Sequence, residues 1–155
     1  MINSEQLIDK VKTYNKFLNP EKLTKAFDFA VNAHKNQKRD SGDPYSNHPI
    51  AVANILTELK LDSATITTGL LHDTIEDTHA TYETIKDEFG QEVADLVDGV
   101  TKISVFENKA TTNSKAENFR KLILATSKDI RVLLVKIADR LHNMRTINAI
   151  KKVEK

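Results

Sequence analysis

Four side chains able to bind a metal ion or transfer protons stand close together in a stretch that is otherwise apolar or hydroxylic. His72 and Asp73 are followed by Glu76 and Asp77 within residues 70–78. Such groups are costly in a helix that serves only for packing, because buried polar groups need partners. If this stretch forms one helix, His72 and Glu76 lie one above the other, and so do Asp73 and Asp77, because each pair is four residues apart. This arrangement suits a metal ion and the water that it activates, and predicts a metal-dependent hydrolase.

Two further candidate ligands lie far from this stretch. Asp139 stands inside an apolar segment, where it is either paired with a basic neighbour such as Lys136 or Arg140 or bound to a metal ion. His48 precedes a proline at the start of a predicted helix and is either a surface or capping residue or a ligand. Antiparallel packing of the predicted helices would bring all the candidates to one ion. Ordinary structural roles are expected of the other histidines, which are His34, His79 and His142.

The composition is that of an ordinary globular domain. The 155 residues are 39% apolar and 29% charged, and their number fits one domain. The net charge of +1 gives no general attraction to nucleic acid or membranes, so an anionic ligand would need a local cluster of basic groups. The lack of cysteine excludes disulfides and thiolate metal sites. Because no signal-type core or run of roughly 20 apolar residues is present, a cytoplasmic protein is expected.

Helical periodicity dominates the sequence, which contains only 4 glycines and 3 prolines. It predicts an all-α fold with helices over residues 7–14, 23–34, 52–59, 82–89, 92–103, 117–125 and 130–147. A further helix begins at Asp62 or Ser63 and runs through the His72–Asp73 pair. Residues 35–49 are predicted as a loop and residues 104–115 as a mobile loop. Gly69 predicts close backbone packing, and the middle of the last helix is predicted to lie in the core.

Longer blocks of sequence surround these candidate residues in unbroken order from about residue 26 to residue 147. The blocks are RDSGDPY at 39–45 leading to His48 and Pro49, LLHDTIEDT at 70–78, VDGVTK at 97–102, ENFRK at 117–121 and KIADRLHNMRT at 136–146. Together they resemble the hydrolase domain of the RelA/SpoT alarmone enzymes, a branch of the HD-domain metal phosphohydrolases. The resemblance implies an HD-domain helical bundle.

The same resemblance implies roles for individual residues. It places one divalent ion, manganese in this family, on His48, His72, Asp73 and Asp139. It places the acid/base pair on Glu76 and Asp77. The implied substrate is guanosine 3′,5′-bis(diphosphate) or its pentaphosphate relative, cleaved at the 3′ position to release pyrophosphate in the stringent response. The implied substrate-binding residues are Arg39, which packs on the guanine, and Ser41, Asn143 and Thr146.

Two departures from the family pattern leave alternatives open. Asp40 stands where relatives more often carry lysine or serine, and its charge would weaken the binding of a polyanion. The chain reads as a single domain over residues 1–155, shortened at its C-terminus and lacking synthetase and regulatory domains, so a homodimer would cover an exposed apolar face. The alternative functions are a truncated remnant that binds nucleotide without turnover and a hydrolase of another phosphorylated nucleotide, such as a nicotinamide dinucleotide phosphate.

Overall fold

The fold is built from helices, as the periodicity predicts. A computed structural model describes residues 2–39, 42–109, 117, 120, 124 and 128–153. The helices with defined bounds among these residues are α1 (Ser4–Lys12), α2 (Pro20–Ala33), α3 (Asn47–Glu58), α4 (Ser63–Leu71), α5 (Thr74–Asp77), α6 (Tyr82–Phe89), α7 (Gln91–Lys109) and α8 (Ile130–Val153). Within the described part of the chain, extended pairing is limited to an isolated bridge between Lys38 and Pro44. The predicted all-α class is therefore confirmed.

Local sequence signals set several helix ends. The side chain of Asn19 accepts hydrogen bonds from the backbone N–H groups of Glu21 and Lys22, and Pro20 occupies the first helical position of α2. Gly90 separates α6 from α7 with a φ of 94°, a conformation that side-chain-bearing residues rarely adopt. These ends agree with the predicted helices.

The helix predicted to continue through His72 and Asp73 is interrupted there. Nδ1 of His72 donates to the carbonyl oxygen of Gly69 at 2.6 Å, and the hydroxyl of Thr74 donates to the carbonyl oxygen of Leu71 at 2.7 Å. Because side chains occupy these carbonyl groups, α4 ends at Leu71 and the short α5 begins after Asp73. The prediction of one continuous helix is therefore wrong. Glu76 and Asp77 lie on the separate helix α5 and not on a continuation of α4.

A second correction concerns the predicted loop at residues 104–115. The backbone of α7 remains helical to Lys109, so the loop prediction is wrong for residues 104–109. Residues 110–115 lie outside the described part of the chain. The predicted helix at 117–125 is described at Glu117, Arg120 and Leu124 alone, and each has helical backbone there.

The helices that carry the candidate site pack closely on one another. α3 packs against α4 and α8, and α4 also contacts α2 and α7. The prediction of close packing at Gly69 is confirmed, because a Cβ atom there would lie 3.4 Å from the Cα atom of Ala53 in α3. In α8, Val135 and Ala138 are buried as predicted, whereas Ile137 is half exposed. None of the described helices is long and apolar enough to cross a membrane.

Candidate metal centre

Three segments distant in sequence bring the four candidate ligands together. His48 extends from the first turn of α3, His72 and Asp73 lie at the junction of α4 and α5, and Asp139 projects from the middle of α8. One donor atom from each of the four residues lies within 4.8 Å of the others. His48, His72 and Asp139 are buried, and the Asp73 side chain is 14% exposed. The four residues therefore meet in one cluster, as expected from the sequence.

The nitrogen and oxygen atoms of this cluster lie at or near hydrogen-bond distance from one another. Nε2 of His48 lies 2.6 Å from Oδ1 of Asp139 and 3.7 Å from Oδ2 of Asp73. Nε2 of His72 lies 3.1 Å from Oδ2 of Asp73 and 3.4 Å from Oδ1 of Asp139. Two imidazoles and two carboxylates without sulfur suit Mn²⁺, Fe²⁺ or Zn²⁺.

The proton arrangement of His72 fits a cation between these groups. Its Nδ1–H donates to the carbonyl oxygen of Gly69, so a neutral ring has a lone pair on Nε2. Nε2 is buried and has no hydrogen-bond partner among the described residues. A lone pair facing the oxygens of Asp73 and Asp139 is repulsive unless positive charge lies between them. The residues present therefore fit a divalent ion.

The charges of the cluster also favour a cation. Burial alone would lower the pKa of His72, but the carboxylates of Asp73 and Asp139 outweigh burial and raise that pKa to about 10, so without a metal ion a proton on Nε2 supplies the positive charge that these groups favour. Burial opposes the ionisation of Asp73 and Asp139, yet the neighbouring imidazoles lower the Asp73 pKa to about 2 and hold the Asp139 pKa well below its usual range. Both carboxylates are thus ionised at neutral pH.

Glu76 and Asp77 lie on α5 at the open side of the cluster. Burial and the charges of Asp77 and Asp73 raise the pKa of Glu76. Burial and the charge of Asp73 likewise raise the pKa of Asp77. A carboxylate with a raised pKa accepts a proton more readily, which is the property that a general base needs. Their catalytic role stays a prediction.

A small polar cavity of about 180 Å³ joins the cluster to the other candidate residues. The residues that line it are Arg39, Tyr45, His48, Asp73, Glu76, Ser104, Lys136, Asp139 and Asn143. A larger cavity, of about 710 Å³, lies between α7 and α8 near Arg131 and contains none of the candidate ligands. The polar cavity is therefore the place where a substrate would meet the candidate ligands.

Two of the four predicted substrate-binding residues lie at this cavity. A guanidinium nitrogen of Arg39 donates to Oδ1 of Asn143 at 2.9 Å, so both residues face the polar cavity. The hydroxyl of Thr146 instead donates to the carbonyl oxygens of His142 and Asn143 in its own helix. Ser41 and its neighbour Asp40 lie outside the described residues.

Tyr45 is a site residue that the sequence did not indicate. Its hydroxyl lies 2.9 Å from Oδ2 of Asp73 and 3.0 Å from Oδ2 of Asp77. It therefore bridges a candidate ligand and a candidate acid/base residue with one phenolic proton. Burial and the two carboxylates raise its pKa, so it remains a neutral donor. The ring of the buried His34 packs against it, with centroids 4.7 Å apart. The available signal was its place at the end of the RDSGDPY block, three positions before His48.

Lys136 and His142, both on α8, are two further residues that contact the ligand cluster. Nζ of Lys136 donates to Oδ2 of Asp139 and to the hydroxyl of Ser104, both at 3.1 Å. Asp139 thus has the basic partner considered as an alternative and also belongs to the cluster. Nδ1 of His142 lies 2.7 Å from Nδ1 of His48, and burial and the neighbouring cations lower its pKa to about 4. His79 is exposed, in line with the ordinary role expected of it.

Comparison with known proteins gives a consistent result. The HD domain family matches residues 26–155. The chain is 49% identical over 152 residues to the GTP pyrophosphokinase rsh of Brucella melitensis, covering 98% of this chain and 20% of that protein. It is 47% identical over 147 residues to the bifunctional (p)ppGpp synthase/hydrolase SpoT of Escherichia coli, covering 95% of this chain and 21% of that protein. The chain thus spans about a fifth of the length of these relatives.

Two further matches are to proteins whose names or descriptions refer to hydrolysis of the alarmone. The chain is 53% identical over 128 residues to a probable guanosine-3′,5′-bis(diphosphate) 3′-pyrophosphohydrolase of Synechocystis, covering 83% of this chain and 17% of that protein. A solved structure of a metazoan SpoT orthologue, described as hydrolysing ppGpp and playing a role in starvation responses, is 32% identical with a TM-score of 0.64. That match covers 83% of this chain and 71% of that one. With the helical fold and the clustered histidines and aspartates, these matches show that the chain belongs to the HD-domain family, in its RelA/SpoT-type branch.

Proposed function

We propose that the chain hydrolyses guanosine 3′,5′-bis(diphosphate), or its pentaphosphate relative, at the 3′ position. The observation that carries this proposal is a polar cavity at which the cluster of four nitrogen and oxygen ligands meets Glu76 and two basic side chains. A diphosphate ester needs this combination, because its cleavage requires a base for the water and positive charge for the phosphoryl oxygens. The names of the Synechocystis and metazoan relatives support the same reaction.

His48, His72, Asp73 and Asp139 would hold the divalent ion. When bound, the ion supplies a Lewis acid that polarises the phosphoryl oxygens of the 3′ diphosphate. Manganese is the ion implied by the family resemblance, and the ligand set admits Fe²⁺ and Zn²⁺ as well. The identity of the ion stays a prediction.

Glu76 is the proposed base. Water attacks the phosphorus atom bonded to the 3′ oxygen, Glu76 accepts a proton from that water, and the bond between phosphorus and the 3′ oxygen breaks. The 3′ oxygen takes up a proton, which gives GDP and pyrophosphate. The raised pKa of Glu76 favours the uptake of this proton. Asp77, held through Tyr45, would orient the water.

Basic groups at the cavity would hold the anionic substrate. The net charge of the chain is only +1, so attraction of a nucleotide polyphosphate must come from local groups. Arg39 and Lys136 line the cavity together, and the planar guanidinium of Arg39 is suited to packing on guanine. Asn143 keeps Arg39 at the cavity through its side-chain oxygen. Contacts of Ser41 and Thr146 with the substrate stay predictions.

The test is the release of pyrophosphate from guanosine tetraphosphate by the purified chain with added Mn²⁺. We expect turnover by the wild type and a loss of at least about 100-fold in Asp73→Asn, which removes a ligand charge with little change in shape. His79→Gln is the matched control, because His79 is exposed and absent from the cavity lining. A folded wild type without turnover, or undiminished turnover in Asp73→Asn, would overturn the proposal.

The alternative functions are outcomes of the same experiment. Cleavage of a nicotinamide dinucleotide phosphate in preference to the guanosine alarmones would move the proposal to another substrate. Tight calorimetric binding of guanosine tetraphosphate without hydrolysis would favour a binding role. Organisation as a single domain, a cytoplasmic location and a homodimer stay predictions.

A further inference from the structure

We propose that His142 is a positioning residue for His48. Its Nδ1 accepts a hydrogen bond from the Nδ1–H of His48, and this bond orients the ring so that Nε2 of His48 is directed at the ligand cluster, 2.6 Å from Oδ1 of Asp139. The two Nδ1 atoms are 2.7 Å apart. The ring centroids are 5.0 Å apart and the ring planes are inclined by 28°. The inference rests on the metal site of the proposed function.

Arg39 determines the direction of this hydrogen bond. One of its terminal nitrogens lies 3.2 Å from the same Nδ1 of His142. A guanidinium group can only donate, so Nδ1 of His142 must have a lone pair. Two lone pairs at 2.7 Å would repel, and therefore Nδ1 of His48 must have the proton. Nε2 of His48, which lies 2.6 Å from Oδ1 of Asp139, is then the nitrogen that would give up its proton to bind a metal ion.

The reverse arrangement is unfavourable. If His142 donated to His48, its Nδ1–H would point at the N–H of Arg39, and two donors would face each other. Arg39 cannot turn away freely, because its other terminal nitrogen donates to Asn143 and its backbone N–H donates to the carbonyl oxygen of Asp43 at 2.9 Å. The fixed donor thus sets the tautomer of His142, and His142 sets that of His48.

His48 and His72 are supported in different ways. Nδ1 of His72 donates to a backbone carbonyl, that of Gly69, which no side-chain substitution removes. The equivalent atom of His48 has the side chain of His142 as its partner. Partners of this kind orient a ligand and raise its basicity, and their removal commonly weakens metal binding by about 10–100-fold. His142 is therefore the support that mutation can test.

Two substitutions of His142 distinguish the loss of its hydrogen-bond acceptor from the loss of its aromatic ring. His142→Phe keeps a flat ring beside His48 but has no acceptor, whereas His142→Asn places an amide oxygen near the position of Nδ1. Calorimetry with Mn²⁺ alone should give a Kd about 10–100-fold weaker for His142→Phe and within about threefold of the wild type for His142→Asn. His79→Phe is the control and should bind as the wild type does. Circular dichroism melting curves establish that each variant is folded.

Nitrogen NMR of the wild-type histidines gives a readout independent of the variants. Long-range proton–nitrogen spectra, recorded without metal and with the diamagnetic Zn²⁺, should show a proton on Nδ1 of His48 in both states. An Nδ1 of His48 that has no proton in the metal-free protein would overturn the inference even if a variant failed to fold. So would an unchanged Mn²⁺ affinity in His142→Phe, or equal weakening in His142→Phe and His142→Asn. A wild type that binds no metal ion would instead refute the proposed metal site.

Discussion

The hydroxyl of Tyr45 offers the cleanest single-atom test of the candidate site. Tyr45→Phe removes a hydroxyl that touches both Asp73 and Asp77, at 2.9 and 3.0 Å, and keeps the ring that packs on His34. One phenolic proton makes one strong hydrogen bond at a time. A hydrogen bond to a charged group contributes about 1.5–3 kcal/mol. Because Tyr45 is only partly buried, the lower part of that range applies.

The expected loss is therefore about 1.5–2 kcal/mol, which corresponds to about 10–30-fold in an equilibrium or rate constant. If the bond to Asp73 dominates, the loss falls on the Mn²⁺ Kd measured by calorimetry. If the bond to Asp77 dominates, it falls on kcat at saturating Mn²⁺. The two measurements together assign the proton of Tyr45 to one carboxylate.

The control is a tyrosine with the same kind of contact elsewhere. The hydroxyl of Tyr82 in α6 donates to Oδ1 of Asp95 at 2.6 Å, and neither residue lines the polar cavity. Tyr82→Phe should leave the Mn²⁺ affinity and turnover of guanosine tetraphosphate unchanged. If Tyr45→Phe also left both quantities unchanged, the bridge between Asp73 and Asp77 would have no functional role.

Three other substitutions test the cavity, the helix packing and a surface ion network. Lys136→Met removes a cation from the cavity and should raise the KM for guanosine tetraphosphate by about tenfold. Gly69→Ala places a Cβ atom 2.6 Å from Cδ1 of Leu56, and overpacking of about 1–3 kcal/mol should exceed the helix-propensity gain of about 1 kcal/mol, lowering stability in urea. Arg131→Met removes a group bonded to three carboxylates and should cost about 1 kcal/mol at pH 7. A hydrogen bond from Arg131 lowers the pKa of Asp129, so this stabilisation is present above the ordinary carboxyl pKa and is lost as the pH falls through the lowered value.

Each of these has its own contrary result. Lys136→Arg should restore most of the KM, and a KM for Lys136→Met equal to that of the wild type would remove Lys136 from substrate binding. A urea midpoint for Gly69→Ala equal to or above that of the wild type would mean that Leu56 relaxes without cost. If Arg131→Met were as destabilising at pH 2 as at pH 7, the ion pairs of Arg131 would not be the cause of the lost stability.

The sequence predicted the fold and the cluster because both depend on patterns along the chain. Apolar spacing identified the helices, and the few glycines and prolines left little else to consider. Gly69 was interpretable because a glycine inside a helix requires a packing reason. The alternatives for Asp139 could not be separated, since an ion pair with Lys136 and a place in the ligand cluster are compatible.

The corrections and additions depend on contacts that leave no local pattern. The break after Leu71 arises because the side chains of His72 and Thr74 bond to carbonyl groups of α4. α7 continues to Lys109 because polarity alone does not end a helix, and neither glycine nor proline occurs between residues 100 and 129. Tyr45 meets Asp73 across 28 residues and His142 meets His48 across 94, distances over which helical periodicity carries no information.

The positions of these residues on α8 explain why that helix organises the site. Lys136, Asp139 and Asn143 follow one another at intervals of three and four residues and therefore share a face, with His142 beside it. One helix thus provides a candidate ligand, its counter-charge, the partner of His48 and the partner of Arg39. Because α8 packs against α3, a rotation or slide of α8 would disturb all four contacts together. Metal affinity and substrate affinity should therefore respond jointly to the packing of α8, even where the substituted residue touches neither.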